Sequence, residues 1–463
     1  MDAAVTLAKN IVNTKYEDIP TEILKVTKKQ ILDILACILG GSTALGCKQV
    51  VELIREWAGR EESTILAYGD RVPAPHAVLA NATMGDALDY DDTSDDAGLH
   101  TGTIVIPACF AMAERKGKVG GEEFLTGVAL GVDMIERMGL ATKRNPDSVR
   151  GLWGGWEGTP LYGFIGAAAA AGKILRLDEE RMVNAIGIAY AQTSGNMQSV
   201  RDGALTKRIS PGFAAKGGVI SALMAEKGIT GSTNSLEGLY GLYNLYHRPG
   251  DYNPHPLTAD LGVRFEGAIV SSKPYPCCRT THPSIDAALA LAREHAVQPQ
   301  NIAEITVTSG PTSVSCTEPL EVKRSPKTLI DAQFSIPWTV ATAIIYGNVQ
   351  VKDFTPEAIK KRAVLEIASK VNCKVDWKLN IRSVNPAIVE IRTNDGSVLS
   401  KRVDFALGSP QNPMSWESII DKFWECASLA VKPIPKENLE KVVEMVSRLE
   451  ELDDVSSVIR ALN

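Results

Sequence analysis

The segments GAAAAAG at residues 166–172 and GFAAKGGVISALMAE at residues 212–226 decide the fold class of this 463-residue chain. Both place Gly and Ala at helical spacing, and such small side chains let neighbouring helices approach closely. The segment PTEILKVTKKQILDILACILGG at residues 20–41 repeats apolar residues on one helical face. The first part of the chain is therefore predicted to be a tightly packed all-helical domain.

The residue pattern changes after about residue 265. The segments at residues 264–276 and 302–310 are typical of strands, and PAIVEIRTNDGSVLSKRVDFALG at residues 386–408 predicts a β-hairpin with its turn at Asn394–Gly396. Helical segments lie between these strands and return after Pro410. We therefore predict a mainly α protein. An all-helical domain covers residues 1–265, completed by helices at 410–463, and a smaller α+β domain covers residues 266–409.

Composition and charge narrow the class of protein. The chain has a net charge of −6 and no Lys/Arg tract, which argues against a partner that is nucleic acid or an anionic membrane. No apolar run reaches the roughly 18 residues of a membrane span, and the first residues lack a signal-peptide pattern. The eight cysteines form no CxxC pair, and no dinucleotide, P-loop or iron–sulfur motif occurs. We expect a cytoplasmic protein that works without a cofactor.

An acidic run, DALDYDDTSDDAGLH at residues 86–100, lies between two apolar segments and holds six carboxylates within eleven positions. The DDTSD spacing at residues 91–95 is that of magnesium-binding helices, but no second acidic motif accompanies it. A calcium loop fits less well, because Ser94 and His100 stand where glycine and glutamate are needed. A solvated helix end and a site of proton transfer are the remaining interpretations.

Histidine favours proton transfer, because its ordinary pKa lies near neutral pH. His100 closes the acidic run. His282 lies in a second polar junction, SSKPYPCCRTTHPSIDAA at residues 271–288, together with cationic and hydroxyl side chains. The adjacent Cys277 and Cys278 are expected to serve packing, since nothing else indicates a cysteine nucleophile.

A third polar segment, GALTKRISPGFAAKGG at residues 203–218, places Lys207 and Arg208 just before the Pro211-Gly212 pair, which is expected to open a helix. Cations beside a helix N-terminus form a suitable site for a carboxylate. An exposed basic pair at the start of a helix is the alternative interpretation.

The polar segments together resemble the MmgE/PrpD family. The resemblance rests on GDALDYDDTSDDAGLHTGTIVIPACFAMAER, TKRISPGFAAKGGVISALMAEKG and KPYPCCRTTHPSIDAALAL, with further similarity at DAQFSIPWTVATAI and RLEELDDVSSV. It implies a large all-helical domain, a smaller α+β lid domain, a homodimer, and an active site between the domains that needs no metal or organic cofactor. Members of the family include 2-methylcitrate dehydratase, cis-aconitate decarboxylase and iminodisuccinate epimerase.

The resemblance also implies roles for individual residues. Its catalytic positions fall on Asp89, His100, Lys207 and His282, of which the lysine would neutralise carboxylate charge and the others would move protons. Asp95 and Asp96 are expected only to be solvated. The positions expected to bind substrate are Thr93, Glu157, Arg208, Lys273 and Thr281.

Two positions depart from the decarboxylase pattern. Glu157-Gly158 replaces a histidine-proline pair, and Ile336 replaces a tyrosine. An anionic Glu157 favours a substrate with fewer negative charges or with a cationic group. We therefore predict a cofactor-independent lyase that acts on a small carboxylate, most similar to 2-methylcitrate dehydratase. Epimerisation, decarboxylation, and a metal-binding or non-catalytic helical protein are the alternatives.

Overall fold

The computed structural model describes residues 2–142, 155–247, 251–379 and 384–463. Most of its regular structure is helical. The helices are α1 Ala3–Asn13, α2 Thr21–Gly41, α3 Cys47–Trp57, α4 Ala74–Asp86, α5 Gly102–Lys116, α6 Gly121–Ala141, α7 Gly158–Ile174, α8 Glu179–Tyr190, α9 Gln198–Arg201, α10 Thr206–Glu226, α11 Leu242–Tyr246, α12 His255–Thr258, α13 His282–Glu294, α14 Val314–Thr317, α15 Leu320–Arg324, α16 Leu329–Gln333, α17 Ile336–Tyr346, α18 Arg362–Ala368, α19 Trp416–Ala427, α20 Lys436–Ser447 and α21 Ser456–Ala461.

Strands are short in the first part of the chain and longer between α13 and α19. They are β1 Ser63–Thr64, β2 Arg71–Val72, β3 Thr93–Ser94, β4 Val270–Ser271, β5 Ile302–Ser309, β6 Val371–Val375, β7 Ala387–Thr393 and β8 Val398–Val403. The predicted fold class, mainly α with a small sheet towards the C-terminus, is confirmed. The all-helical description of the first part needs correction, because β1 and β2 pair there as a two-residue antiparallel ladder and β3 is a further two-residue strand.

The chain forms two compact units. The first comprises Met1–Met197, Leu205–Val270 and Ser415–Asn463, and the second comprises Gln198–Ala204 and Ser271–Met414. Three separate stretches of sequence therefore build the first unit. None of the helices in the described part of the chain combines the length and the apolar character needed to cross a membrane.

Helix α7 lies in the interior of the first unit, and its residues Ala167–Ala171 are fully buried. Small residues bring its neighbours close. A Cβ atom on Gly218 of α10 would lie 2.6 Å from the Phe164 carbonyl oxygen of α7, and one on Gly131 of α6 would lie 2.7 Å from the Cβ atom of Ala170. The close helix packing predicted from the Gly/Ala segments is thus what the structure has.

The second unit contains a four-stranded sheet in the order β6-β5-β7-β8. Strands β5 and β6 run parallel, and β7 runs antiparallel to both β5 and β8. Strands β7 and β8 form the predicted hairpin, with Gly396 at φ 89° in its turn. Alternate residues of β7, namely Ala387, Val389 and Ile391, are buried, and Val389 and Ile391 belong to the core that α13 and α17 share with the sheet.

The strand predicted over residues 264–276 is wrong for most of its length. A 3-10 turn occupies Glu266–Ile269, and only Val270 and Ser271 are extended in a strand. Pro274 and Pro276 lack the N–H groups that a continuing ladder needs, which explains the early end.

Candidate active site

A buried lysine and two aspartates form the centre of a polar cluster in the first unit. Asp86 is the last residue of α4, Asp89 lies in the following loop, and Lys207 lies in the first turn of α10. The Nζ atom of Lys207 lies 3.0 Å from both carboxylate oxygens of Asp86 and 3.0 Å from Oδ1 of Asp89. All three residues are at most 6% exposed. The ammonium group is therefore held in a fixed position by charge-assisted hydrogen bonds.

His100 lies at the other end of the same loop, where two acceptors fix its ring. Its Nδ1 atom lies 2.8 Å from the carbonyl oxygen of Asp92 and 3.0 Å from Oδ2 of Asp91. Its backbone N–H donates to the hydroxyl of Thr159 at the start of α7. Since the Asp92 carbonyl can only accept, the proton of a neutral ring lies on Nδ1 and the basic lone pair lies on Nε2.

Asp92 holds the loop in place through hydrogen bonds of its carboxylate. Its carboxylate accepts from the backbone N–H of Gly102, the hydroxyl of Thr101 and the side-chain amide of Gln30, at 2.7 to 3.0 Å. A Cβ atom at Gly102 would lie 2.7 Å from Oδ1 of Asp92. The Thr-Gly pair after His100 therefore lets the carboxylate bind the N-terminus of α5 closely.

Glu157 immediately precedes α7 and is 8% exposed. Among the described residues, its buried Oε2 atom has no hydrogen-bond partner. Burial raises the pKa of Glu157 to about 7. The positive charge of Lys207 opposes this shift and the negative charge of Asp86 adds to it. Glu157 is thus a carboxyl group that changes its protonation near neutral pH.

The cluster concentrates negative charge around one cation. Burial raises the pKa of Asp86 to about 6 despite the nearby Lys207. Burial by itself lowers the pKa of Lys207, but the surrounding carboxylates, those of Asp86 and Asp89 foremost, raise it well above its ordinary value. Lys207 therefore stays protonated, whereas Asp86 and Glu157 can gain or lose protons between about pH 6 and 7.

The acidic run is not a solvated helix end. Helix α4 stops at Asp86, and the loop folds inward so that Asp89, Asp91, Asp92 and Asp95 are all at most 6% exposed. The prediction that Asp95 is solvated is therefore wrong. The number of charges alone predicts an exposed loop. This prediction fails because the contacts that bury the loop come from helices distant in sequence.

The start of α10 also differs from its prediction. The helix begins at Thr206 and contains Pro211, so Lys207 and Arg208 lie inside its first turn rather than before it. Tertiary hydrogen bonds to Asp86 and Asp89 anchor this turn and outweigh the local effect of proline.

Two predicted substrate-binding residues of the first unit bind backbone carbonyls. The guanidinium of Arg208 donates to the Leu45 carbonyl, which lies between α2 and α3. The hydroxyl of Thr93 donates to the Leu99 carbonyl at 3.1 Å. Both contacts are structural, and a role in substrate binding stays a prediction for each residue.

The remaining predicted residues lie in the second unit. Lys273, Thr281 and His282 are fully buried. The Nε2 atom of His282 donates to the Cys277 carbonyl at 3.1 Å, and its Nδ1 atom accepts from Arg279 at 3.2 Å. The hydroxyl of Thr281 donates to the Cys278 carbonyl. These contacts make one connected group of the Cys277–His282 segment, and the catalytic role of His282 stays a prediction.

Three residues of the cluster also have the donor set of a metal site. Asp86, Asp91 and His100 each offer one ligand atom, and these atoms lie within 4.8 Å of one another. Both oxygens of Asp86 already bind the Lys207 ammonium, which supplies positive charge at this point. The predicted independence from metal stays a prediction that chelation can test.

Sequence reasoning missed Asp86 and Thr159 as members of the site and left the role of Asp91 undecided. Asp86 ends a regular helix, and its alignment with Lys207 depends on the packing of α4 against α10. Thr159 lies 59 positions from His100, and its bond to the His100 backbone has no local sequence signal.

Comparison with known proteins identifies the family. The model of the MmgE/PrpD N-terminal domain matches residues 5–255, and the model of the MmgE/PrpD C-terminal domain matches residues 275–448. The chain therefore belongs to the MmgE/PrpD family, which confirms the resemblance seen in the sequence.

Curated relatives extend over almost the whole chain. The cis-aconitate decarboxylase-like protein oryM of Aspergillus oryzae is 28% identical over 98% of this chain and 95% of its own length. The cis-aconitate decarboxylase of Aspergillus terreus is 26% identical over 97% and 94%, and that of Homo sapiens is 26% identical over 97% and 92%. The predicted class, a lyase or a related enzyme, is confirmed.

Proposed function

We propose that this enzyme is a hydro-lyase that removes a proton next to a carboxylate of a small carboxylate substrate and expels a hydroxyl group as water. One observation carries the proposal. The oriented His100, the lysine cation and the titrating Glu157 are electrostatically coupled around the same acidic loop. Dehydration needs a base, a charge-stabilising cation and an acid, and these three groups match those needs.

Proton abstraction is assigned to His100. The Asp92 carbonyl accepts from Nδ1–H beside the Asp91 carboxylate, so the Nε2 lone pair is assigned to take the proton of a substrate C–H. The electron pair left on carbon moves towards the adjacent carboxylate and raises its negative charge. Lys207, fixed by Asp86 and Asp89, stabilises that charge.

Departure of the hydroxyl group is assigned to Glu157. In its protonated form it donates a proton to the leaving oxygen, so that water departs as the carbon–carbon double bond forms. A pKa of about 7 suits this task, since both protonation states are populated at neutral pH. The proton taken by His100 and the proton given by Glu157 balance, and both groups reset by exchange with solvent.

Further residues are proposed to bind the substrate. Arg208 and Lys273 would neutralise additional carboxylates, Thr93 and Thr281 would donate hydrogen bonds, and His282 would move a second proton or orient the substrate. A 2-methylcitrate-like hydroxy acid meets the requirement for a hydroxyl group beside an acidic C–H.

Decarboxylation is the second candidate, favoured by the names of the relatives described above. Against it stand Glu157 and Ile336, which replace the histidine and tyrosine of the decarboxylase pattern. A carboxylate at position 157 adds negative charge near a departing carboxylate.

Proton NMR in D₂O distinguishes the candidates. Methylcitrate, citrate, cis-aconitate and amino-dicarboxylates are incubated with the enzyme, with and without EDTA. We expect deuterium at the acidic carbon together with an alkene product from a hydroxy acid. Loss of CO₂ would support decarboxylation, and exchange with inversion alone would support epimerisation. Activity that disappears in EDTA and returns with a divalent metal would contradict the metal-free mechanism.

Replacing Glu157 by Gln tests the proposed acid. In the folded chain the carboxyl group has a pKa of about 7, against about 4.3 when unfolded. The folded state therefore holds the proton more tightly, so wild-type stability falls as pH rises from about 4 to about 7. Gln removes this pH-dependent loss, and at pH 8 the variant should be more stable than the wild type by up to about 4 kcal/mol. Turnover should fall roughly 100-fold.

Urea unfolding at pH 5 and pH 8 measures the stability difference, which should grow with pH. The exposed Glu180, replaced by Gln, serves as control. A stability difference that does not change with pH would contradict the raised pKa, and wild-type turnover would remove Glu157 from the mechanism.

A further inference from the structure

The loop that carries Asp89 and Asp91 has an unusual backbone at its start. Asp89 has φ 52°, in the left-handed region that residues other than glycine rarely adopt. In this arrangement of the loop the Asp89 carboxylate accepts a hydrogen bond from Lys207 at 3.0 Å. Contacts at the next residue, Tyr90, are therefore important for keeping the loop in this conformation.

Lys422 of α19 supplies those contacts from 332 positions away. Its ammonium donates to the Tyr90 carbonyl at 2.6 Å and lies 3.8 Å from the centroid of the Tyr90 ring. The same ammonium pairs with Asp33 of α2 at 2.6 Å. Lys422 is 3% exposed and Asp33 is fully buried. Burying a lysine–aspartate pair costs free energy of desolvation. In return, the pair holds the Lys422 ammonium in a fixed position.

Helix α2 holds the loop at a second point, one turn before Asp33. The side-chain amide of Gln30 donates to Asp92 at 2.7 Å. Residues 90 and 92 are thus bound on either side of Asp91, the carboxylate that contacts His100.

We propose that Lys422 is a positioning residue that fixes Tyr90 and so sets Asp89 against Lys207 and Asp91 against His100. The proposal rests on the proposed function of that cluster. Lys422 itself is not catalytic, because its ammonium binds Asp33 and the Tyr90 backbone. The hydrogen bond to the Tyr90 carbonyl is the contact that matters, and the charge pair with Asp33 serves to hold the donor in place.

Two double variants separate the donor from the charge. Asp33→Asn with Lys422→Met leaves no unpaired buried charge and no donor to Tyr90. Asp33→Asn with Lys422→Gln is also uncharged but keeps an N–H donor. Lys436→Met is the control, because the Lys436 side chain is 78% exposed and pairs with Glu440 on the surface of α20.

We expect kcat of the Asp33→Asn, Lys422→Met variant (the Met variant) to fall roughly 10- to 100-fold with a smaller change in KM, since small displacements of catalytic groups have large effects on the rate. Amide hydrogen exchange at residues 89–92 should become about tenfold faster. The Gln variant should keep kcat within about threefold of the wild type, and Lys436→Met should change neither readout.

Wild-type kcat and exchange in a folded Met variant would overturn the proposal, as would an equal loss of kcat in a folded Gln variant. If the Met variant does not fold, the Gln variant alone tests the proposal: a kcat more than about threefold below that of the wild type would overturn it. If the wild type turns over none of the carboxylates, the proposed function fails, and exchange at residues 89–92 alone decides whether Lys422 positions the loop.

Discussion

Replacing Lys207 by Met should lower kcat/KM roughly 1,000-fold, because the variant loses the ammonium group that Asp86 and Asp89 hold by direct ion pairs. The charge that develops on the substrate carboxylate then has no ammonium to stabilise it. Steady-state kinetics with the substrate found by NMR measure the loss, which should appear mainly in kcat.

The same variant should lose stability in a pH-dependent way. Asp86 and Asp89 stay buried without their cation, which typically costs about 3–5 kcal/mol. Protonation of these carboxyl groups relieves the cost, so the deficit should shrink as pH falls from 8 to 5. A second substitution, Asp86→Asn, should recover stability but not turnover.

Lys216→Met is the matched control for Lys207→Met. Lys216 lies on the same helix and contacts the ring of Trp57 rather than a carboxylate. Near-normal turnover in Lys207→Met, with Lys216→Met unchanged, would remove Lys207 from the reaction.

Replacing His100 by Gln should lower turnover roughly 100-fold or more, since the amide has no basic lone pair to accept a proton. The amide N–H can still donate to the Asp92 carbonyl, so the loop should keep its conformation. The acidic limb of the pH–rate profile, which reports the base, should disappear in this variant.

His282→Gln is the informative comparison for His100→Gln. Both ring nitrogens of His282 are engaged within the Cys277–His282 segment. We expect His282→Gln to lower turnover while the acidic limb of the profile persists. The reverse result, with the limb lost only in His282→Gln, would transfer the role of base from His100 to His282.

The sequence predicts the elements of this fold better than the contacts between them. The spacing of Gly and Ala predicts the buried α7, and the alternation of apolar and polar residues predicts the hairpin of β7 and β8. Both signals arise from residues that are close together in the sequence. The loop at residues 86–100 is different. Whether Asp95 is buried or solvated depends on distant helices that cover it.

In the candidate site, too, the individual residues are easier to predict from the sequence than the contacts between them. Asp89, His100 and Lys207 come from the family resemblance, and the structure of the first unit brings them into one polar cluster. Asp86 and Asp91 complete it, although their residue type alone does not distinguish them from the other acids of the run. No local pattern links Tyr90 to Lys422, which is why that contact emerges only from the structure.

The discontinuous make-up of the first unit has a consequence for its synthesis. Tyr90 leaves the ribosome 332 residues before its partner Lys422. At about 5–20 residues per second, that interval is roughly 15–65 seconds. During this time the second unit is made in full, while the acidic loop waits without its C-terminal anchor. A nascent chain that ends before α19 therefore carries every residue assigned to catalysis and still lacks the contact proposed to align them.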